Sequence, residues 1–266
     1  MPGGNDDSDF GGELTNLGAR RMNDSELPSR IALVTGANGG IGIEIARQLL
    51  HSGFTVYVGS RDDGRGQTAV TELGEGAHPL VLDVTNAESI AAAVTRVAEL
   101  DVLVNNAGVS DAGESATETD VETFRRIYET NVFGVVAVTN AFVPALRRSA
   151  HPRIVNLSSG TGSLGWSTSP NPQFDYRTAG AGAVYRSSKS ALNALTIFYA
   201  QALAVDSSIK VNAVAPGLRA TNLNRRAAER GGGPAEAAAG AVRLALLPDD
   251  GPTAGFFSWD GTVAAW

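Results

Sequence analysis

A β-branched run, Ile31-Ala-Leu-Val-Thr35, passes without a polar break into Gly36-Ala-Asn-Gly-Gly-Ile-Gly42, and that turn opens a helical pattern from Gly40 to His51. A strand apolar at nearly every position must be covered on both faces, which is the situation of a parallel sheet rather than of a half-solvated antiparallel one. The helix offers Ile41, Ile45 and Leu49 at i, i+4 and i+8 on one buried face, with Gly53 as its stop. Strand, glycine turn and helix in this order begin a βαβ unit. The alternation continues, with strands expected at Phe54–Gly59, Pro79–Asp83, Asp101–Asn105, Arg153–Ser158, Lys210–Ala215 and Gly255–Phe257, and helices at Ala87–Leu100, Val121–Arg148 and Ala183–Val205. This pattern shows no internal repeat and no composition break after residue 30. It predicts an α/β chain over 30–266: a single-domain Rossmann fold, a doubly wound parallel seven-stranded sheet with helices on both faces.

Residues 1–29 differ, with six acids against Arg20 and Arg21 and few large apolar side chains, and a disordered acidic extension is expected there. The formal charge of −7 is therefore mostly tail, because the remainder balances 22 acids against 19 bases. No broad basic surface is available for a phosphate backbone, which argues against nucleic acid as a partner. No cysteine is present, so disulfides, thiol nucleophiles and iron–sulfur clusters are excluded, and His51, His78 and His151 show no metal-ligand spacing. No uninterrupted apolar run approaches the roughly 18 residues of a membrane span, so a soluble, cytoplasmic chain with no membrane partner is expected.

Glycines in a strand-to-helix turn let backbone N–H groups approach a pyrophosphate, and the helix N-terminus favours its negative charge. Gly36, Asn38, Gly39, Gly40, Ile41 and Gly42 are accordingly expected to form a dinucleotide cradle. The second strand ends beside the adenosine ribose, where an acid suits NAD and a cation suits the 2′-phosphate of NADP. Here it ends in Ser60 and Arg61, a hydroxyl donor and a bidentate cation, so NADP(H) is expected as the preferred cofactor, with NAD(H) possible because Asp62 and Asp63 compete for the charge. Asp83 and Val84, after the third strand, are placed near the adenine.

Tyr185 and Lys189 are four residues apart and emerge on one helix face. A neighbouring ammonium favours the ionised phenol and is expected to bring its pKa down from about 10 toward the working range. Together with the glycine turn, Asn105-Asn106-Ala107-Gly108, Asn131, Ser158-Ser159 and Pro216-Gly217, in this order, the pair resembles the short-chain dehydrogenase/reductase family over residues 30–266. The resemblance implies a catalytic tetrad. Tyr185 would donate a proton to a carbonyl oxygen that Ser159 polarises, Lys189 would hold the nicotinamide ribose, and Asn131 would anchor a proton-relaying water. It also implies that Asn106, Ala107, Gly108, Pro216, Gly217 and Thr221 border the cofactor.

Two departures from the family pattern stand out. Ser159 and Tyr185 are 26 positions apart, and the added stretch is a Pro-punctuated loop carrying Trp166, Phe174 and Tyr176. It reads either as a wall for a bulky or aromatic substrate or as a segment packed on the body. After Pro216-Gly217, Gly231-Gly232-Gly233-Pro234 reads as a hinge or frayed lid. The long insertion and the ending Gly255-Phe-Phe-Ser-Trp-Asp-Gly261 resemble the carbonyl-reductase-like branch, which tends to be monomeric, whereas most relatives pair through the Tyr/Lys helix; monomer and homo-oligomer both stay open. The expected function is NADPH-dependent reduction of a ketone or aldehyde. The alternatives are an NAD(P)-dependent alcohol dehydrogenase and, in another class, an NADP-binding sensor that would need no complete tetrad.

Overall fold

A computed structural model describes residues 30–111, 113, 115–177, 181–205, 207–218 and 232–266. The expected acidic extension and Thr221 lie outside them. The elements run β1 (Ile31–Val34), α1 (Gly40–His51), β2 (Thr55–Ser60), α2 (Asp63–Leu73), β3 (Ala77–Val81), α3 (Ala87–Arg96) and β4 (Val102–Asn105). They continue with α4 (Val121–Tyr128), a π-helical turn (Glu129–Phe133), α5 (Gly134–Leu146), β5 (Arg153–Leu157), a 3-10 turn (Gly160–Gly162), α6 (Leu164–Thr168), α7 (Ala183–Leu203), β6 (Lys210–Ala215), α8 (Pro234–Ala245) and β7 (Gly255–Ser258). The seven strands form one sheet in the order β3-β2-β1-β4-β5-β6-β7, parallel throughout. The strand order reverses between β1 and β4, and a crevice opens there at the carboxyl ends of the strands.

Alternate strand residues point to opposite faces. Ala32 and Val34 join Val56, Val58, Val102 and Val104 in a core that also takes Ile45 and Leu49 of α1 and Ala238, Ala241 and Ala245 of α8. Leu33, Leu103, Ile154 and Val211 face the other way, against Ile90 of α3, Val138 and Phe142 of α5, and Ala200 and Leu203 of α7. On the same face as Leu103 and Ile154, a chain of buried polar side chains ties the sheet to α5 and α7: Asn105 Nδ2 donates to Thr139 Oγ1 at 3.1 Å and to Asn156 Oδ1 at 2.9 Å, and Asn156 Nδ2 donates to Thr196 Oγ1 at 2.9 Å. Each member is partnered, which is what makes burial of four polar side chains tolerable.

Three local features differ from the sequence expectation. Helix α2 begins where the sequence offers a dense polar stretch; the Asp62 carboxylate caps it by accepting from the Arg65 N–H at 2.8 Å. Gly233 and Pro234 are the N-cap and first residue of α8 rather than part of a hinge, a position where a missing N–H costs nothing. By length and composition the continuous helix Val121–Leu146 could cross a membrane, but 56% of its apolar window is buried in the fold, as in a core helix.

Candidate active site

The crevice is a cleft of about 530 Å³. Its floor is the glycine turn, with Gly36, Asn38, Gly39, Gly40, Ile41 and Gly42 all on the wall. Gly36 and Gly40 have φ of 63° and 59°, the left-handed region where a side chain is strained. A Cβ on Gly42 would lie 2.5 Å from Asn106 Nδ2 and 2.6 Å from the Gly36 carbonyl, so helix and turn touch only because that position is bare. A Cβ on Gly39 would meet nothing within 4 Å, because that residue faces the open cleft. No side chain caps α1, which leaves its first N–H groups available to an anion.

The loop after β4 is fastened to this turn. Asn106 Nδ2 donates to the Thr35 carbonyl at 2.8 Å and the Gly36 carbonyl at 3.1 Å, and the Thr35 hydroxyl accepts from the Asn106 and Ala107 N–H groups at 3.0 and 2.9 Å. Asn106, Ala107 and Gly108 thereby line the cleft beside the glycines. At its other end lie Arg61, Asp83 and Val84, together with Arg65, which sequence reasoning missed. Its signal was there: Arg65 follows Arg61 by four residues, one helical turn, once α2 is recognised. Ser60 does not fit the donor role expected of it. It is 2% exposed, and its hydroxyl donates to the Asp62 carbonyl at 2.7 Å, because it closes the turn into α2. Asp62, expected to compete for Arg61, pairs with Arg65 instead, at 3.6 Å. Pro216 reaches the cleft, whereas Gly217, with φ 73°, supplies a turn beside it without joining the wall.

On the wall of the cleft, α7 presents Tyr185 and Lys189. Lys189 is 4% exposed, its Nζ donates to the Leu157 carbonyl at 2.7 Å, and it lies 5.8 Å from the centre of the Tyr185 ring. Ser159, on the turn after β5, hydrogen-bonds the Tyr185 side chain. Its Oγ also stands 2.9 Å from Thr161 Oγ1 and accepts from the Thr161 N–H at 3.2 Å. Asn131 occupies the π-helical turn and is fully buried. Its Oδ1 accepts from the Val109 N–H at 2.8 Å, while Nδ2 donates to the Val109 carbonyl at 2.9 Å and to Ser188 Oγ at 3.0 Å. Both amide hydrogens are thus used in pinning the β4 loop to α7, a positioning task that the water-anchoring expectation did not include. A Cβ on Gly108 would sit 3.3 Å from Asn131 Oδ1 and 3.6 Å from Lys189 Nζ, so these two groups share one bare patch of backbone.

The sequence model of the short chain dehydrogenase family matches residues 30–231. This chain belongs to the short-chain dehydrogenase/reductase family. It is 36% identical to the short-chain dehydrogenase anuI of Penicillium roqueforti, covering 86% of this chain and 97% of that one, and 34% identical to salutaridine reductase of Papaver bracteatum, covering 86% and 93%. Among solved structures, an NADPH-bound carbonyl reductase from chicken fatty liver superposes with a TM-score of 0.77 at 26% identity, covering 90% of this chain and all of that one. The protein is an NAD(P)-dependent oxidoreductase. The cleft fits a nicotinamide dinucleotide on its own chemistry: bare glycine backbone, uncapped helix N–H groups and two guanidinium groups at one end.

In this short-chain enzyme the electrostatics differ from the lysine-lowered phenol expected from the sequence. Burial pushes Tyr185 up to about 12, against the smaller opposing effect of its bond to Ser159, and burial draws Lys189 down to about 8. The Lys189 ammonium is directed at the Leu157 carbonyl, so desolvation wins over its attraction for a phenolate. Of the two readings of the insertion, packing accounts for two of its three aromatics. Trp166 is 8% exposed and clusters with Phe256 of β7, Phe174 and Trp266, with ring centres 6.4 Å apart for Trp166–Phe256 and 5.3 Å for Phe256–Trp266. Gln173 Nε2 donates to Ser258 Oγ at 3.1 Å and the Gly165 N–H to the Trp266 carbonyl at 2.7 Å, so the insertion is moored to the sheet edge.

Proposed function

We propose that this enzyme is an NADPH-dependent reductase of ketones or aldehydes, with Tyr185 as the proton donor. The observation that carries the cofactor preference is the pairing of Arg61 and Arg65 on the cleft wall at the end of β2, with the Asp62 carboxylate turned onto the first turn of α2 and no ion pair to Arg61 among the described residues. Gly36, Gly39, Gly40 and Gly42 would hold the pyrophosphate, and Lys189 the nicotinamide ribose. When bound, the reduced nicotinamide supplies a hydride to the carbonyl carbon. The chain's own part is to orient the carbonyl and deliver a proton. Ser159 Oγ donates a hydrogen bond to the carbonyl oxygen, and Tyr185, a phenol that is protonated at neutral pH with or without its burial, gives that oxygen its proton as charge develops. The phenolate left behind is stabilised by the Lys189 ammonium, 5.8 Å from its ring.

Likeness to salutaridine reductase supports the reductive direction, and a bulky carbonyl substrate would not be walled by Trp166 or Phe174, which pack inward. NADPH and NADH consumption with aromatic ketones, quinones and aliphatic carbonyls tests the proposal in three proteins. Arg61→Ala is expected to raise the KM for NADPH about tenfold with little change for NADH, as loss of a charge-assisted phosphate contact requires. Tyr185→Phe is expected to lower kcat by about a hundredfold or more while NADPH still binds. Equal losses for both cofactors, or a fully active phenylalanine variant, would each refute the corresponding assignment.

A further inference from the structure

The catalytic pair is only one of two stripes on α7. Arg186, Ser190 and Asn193 follow at i, i+4 and i+7, on the face adjoining Tyr185 and Lys189. Ser190 Oγ donates to the Gly162 carbonyl at 2.8 Å and Asn193 Nδ2 to the same oxygen at 3.3 Å. Arg186 reaches further: Nε donates to the Thr161 carbonyl at 3.3 Å, Nη2 to Ser167 Oγ at 3.0 Å, and its guanidinium lies 5.6 Å from the centre of the Phe174 ring. One side chain therefore holds the 3-10 turn, helix α6 and the loop beyond it. None of these partners is a carboxylate, and burial draws the guanidinium pKa down, so the contacts are directional hydrogen bonds rather than a surface ion pair.

The turn that Arg186 grips is the one that carries the catalytic serine. Thr161 contacts Ser159 Oγ through both its N–H and its hydroxyl. The turn is pressed against the helix: a Cβ on Gly162 would lie 2.6 Å from Lys189 Cβ. We propose that Arg186 is a positioning residue that latches the Ser159 turn, and the inserted segment behind it, to the helix bearing Tyr185, so that the serine and tyrosine hydroxyls converge on one substrate oxygen. Arg186 is not on the cleft wall, and it acts through Thr161 on Ser159. This rests on the roles proposed above for Ser159 and Tyr185.

A double-mutant cycle separates this role from mere support of the fold. Arg186→Met, Ser159→Ala and the double variant are assayed for NADPH-dependent reduction of an aromatic ketone, alongside thermal unfolding and KM for NADPH. Arg186→Met is expected to lower kcat about tenfold to a hundredfold, the scale of an ångström-sized misplacement, with KM for NADPH within about twofold. In the Ser159→Ala background the same substitution is expected to change kcat by less than about twofold, because the group it positions is gone. Arg186→Lys, which keeps the charge and one donor direction, is expected to recover part of the rate and serves if the methionine variant does not fold. Losses that multiply fully across the cycle, or kcat unchanged in Arg186→Met, overturn the latch. Retained activity in Tyr185→Phe would instead overturn the underlying catalytic reading, so the two failures are distinguishable.

Discussion

Replacing Lys189 by methionine isolates the cost of its buried charge. The side chain is 4% exposed, and among the described residues its ammonium has one acceptor, the Leu157 carbonyl. Its pKa falls from 10.5 to about 8 on folding, through desolvation. A folded-state pKa below the unfolded one means that the unfolded chain binds more protons between the two values, so the charge weighs against the fold most below about pH 8 and is relieved as pH rises toward 10.5. At about 1.4 kcal/mol per unit the full penalty is about 3 kcal/mol. Lys189→Met carries no such penalty. Whatever baseline the lost hydrogen bond sets, the stability of the variant relative to the parent is expected to fall by about 2 kcal/mol between pH 7 and pH 9.5, as the parent recovers. Tyr185 does not interfere below pH 10: its raised folded pKa removes stability only as pH climbs from 10 toward about 12. Urea unfolding of both proteins without cofactor, followed by tryptophan fluorescence at several pH values, reads the difference directly. A gap that stays constant from pH 7 to 9.5 would show that Lys189 folds without a charge penalty.

The same titration reaches catalysis: kcat/KM for NADPH in the reductive direction is expected to decline as pH rises through about 8, where Lys189 loses the charge that supports the phenolate, and a flat profile to pH 9 would separate the two. Gly42→Ala places a methyl 2.5 Å from Asn106 Nδ2 and 2.6 Å from the Gly36 carbonyl, so calorimetry is expected to show a loss of about 1–3 kcal/mol together with weaker NADPH binding; an unperturbed melting temperature contradicts the close packing.

The glycine turn, the seven strands and the Tyr185–Lys189 pair were legible because each depends on near neighbours: unbroken β-branched runs, apolar spacing along a helix, and residues four apart on one face. Helix α2 is not legible in the sequence because its mostly polar, exposed face hides its period, and the Asp62 carboxylate, which by sequence competes for Arg61, caps its first turn and sets Arg65 beside the cleft. Asn131 was recognised but not its setting. The π-helical turn turns a buried amide inward to hold Val109 and Ser188, a task that no spacing in the sequence displays.

By itself, the sequence determined the parallel sheet, the phosphate turn and which residue types are available for hydride chemistry, since those follow from local periodicity and from side-chain chemistry. The tertiary structure alone decided that Ser60 closes a turn, that Trp166 and Phe174 pack against β7, that Arg186 reaches across to the serine turn, and that Tyr185 is raised and Lys189 lowered. Those outcomes depend on which distant segments exclude water from a group and which donors face it, quantities that exist only once residues far apart in the chain are brought into contact.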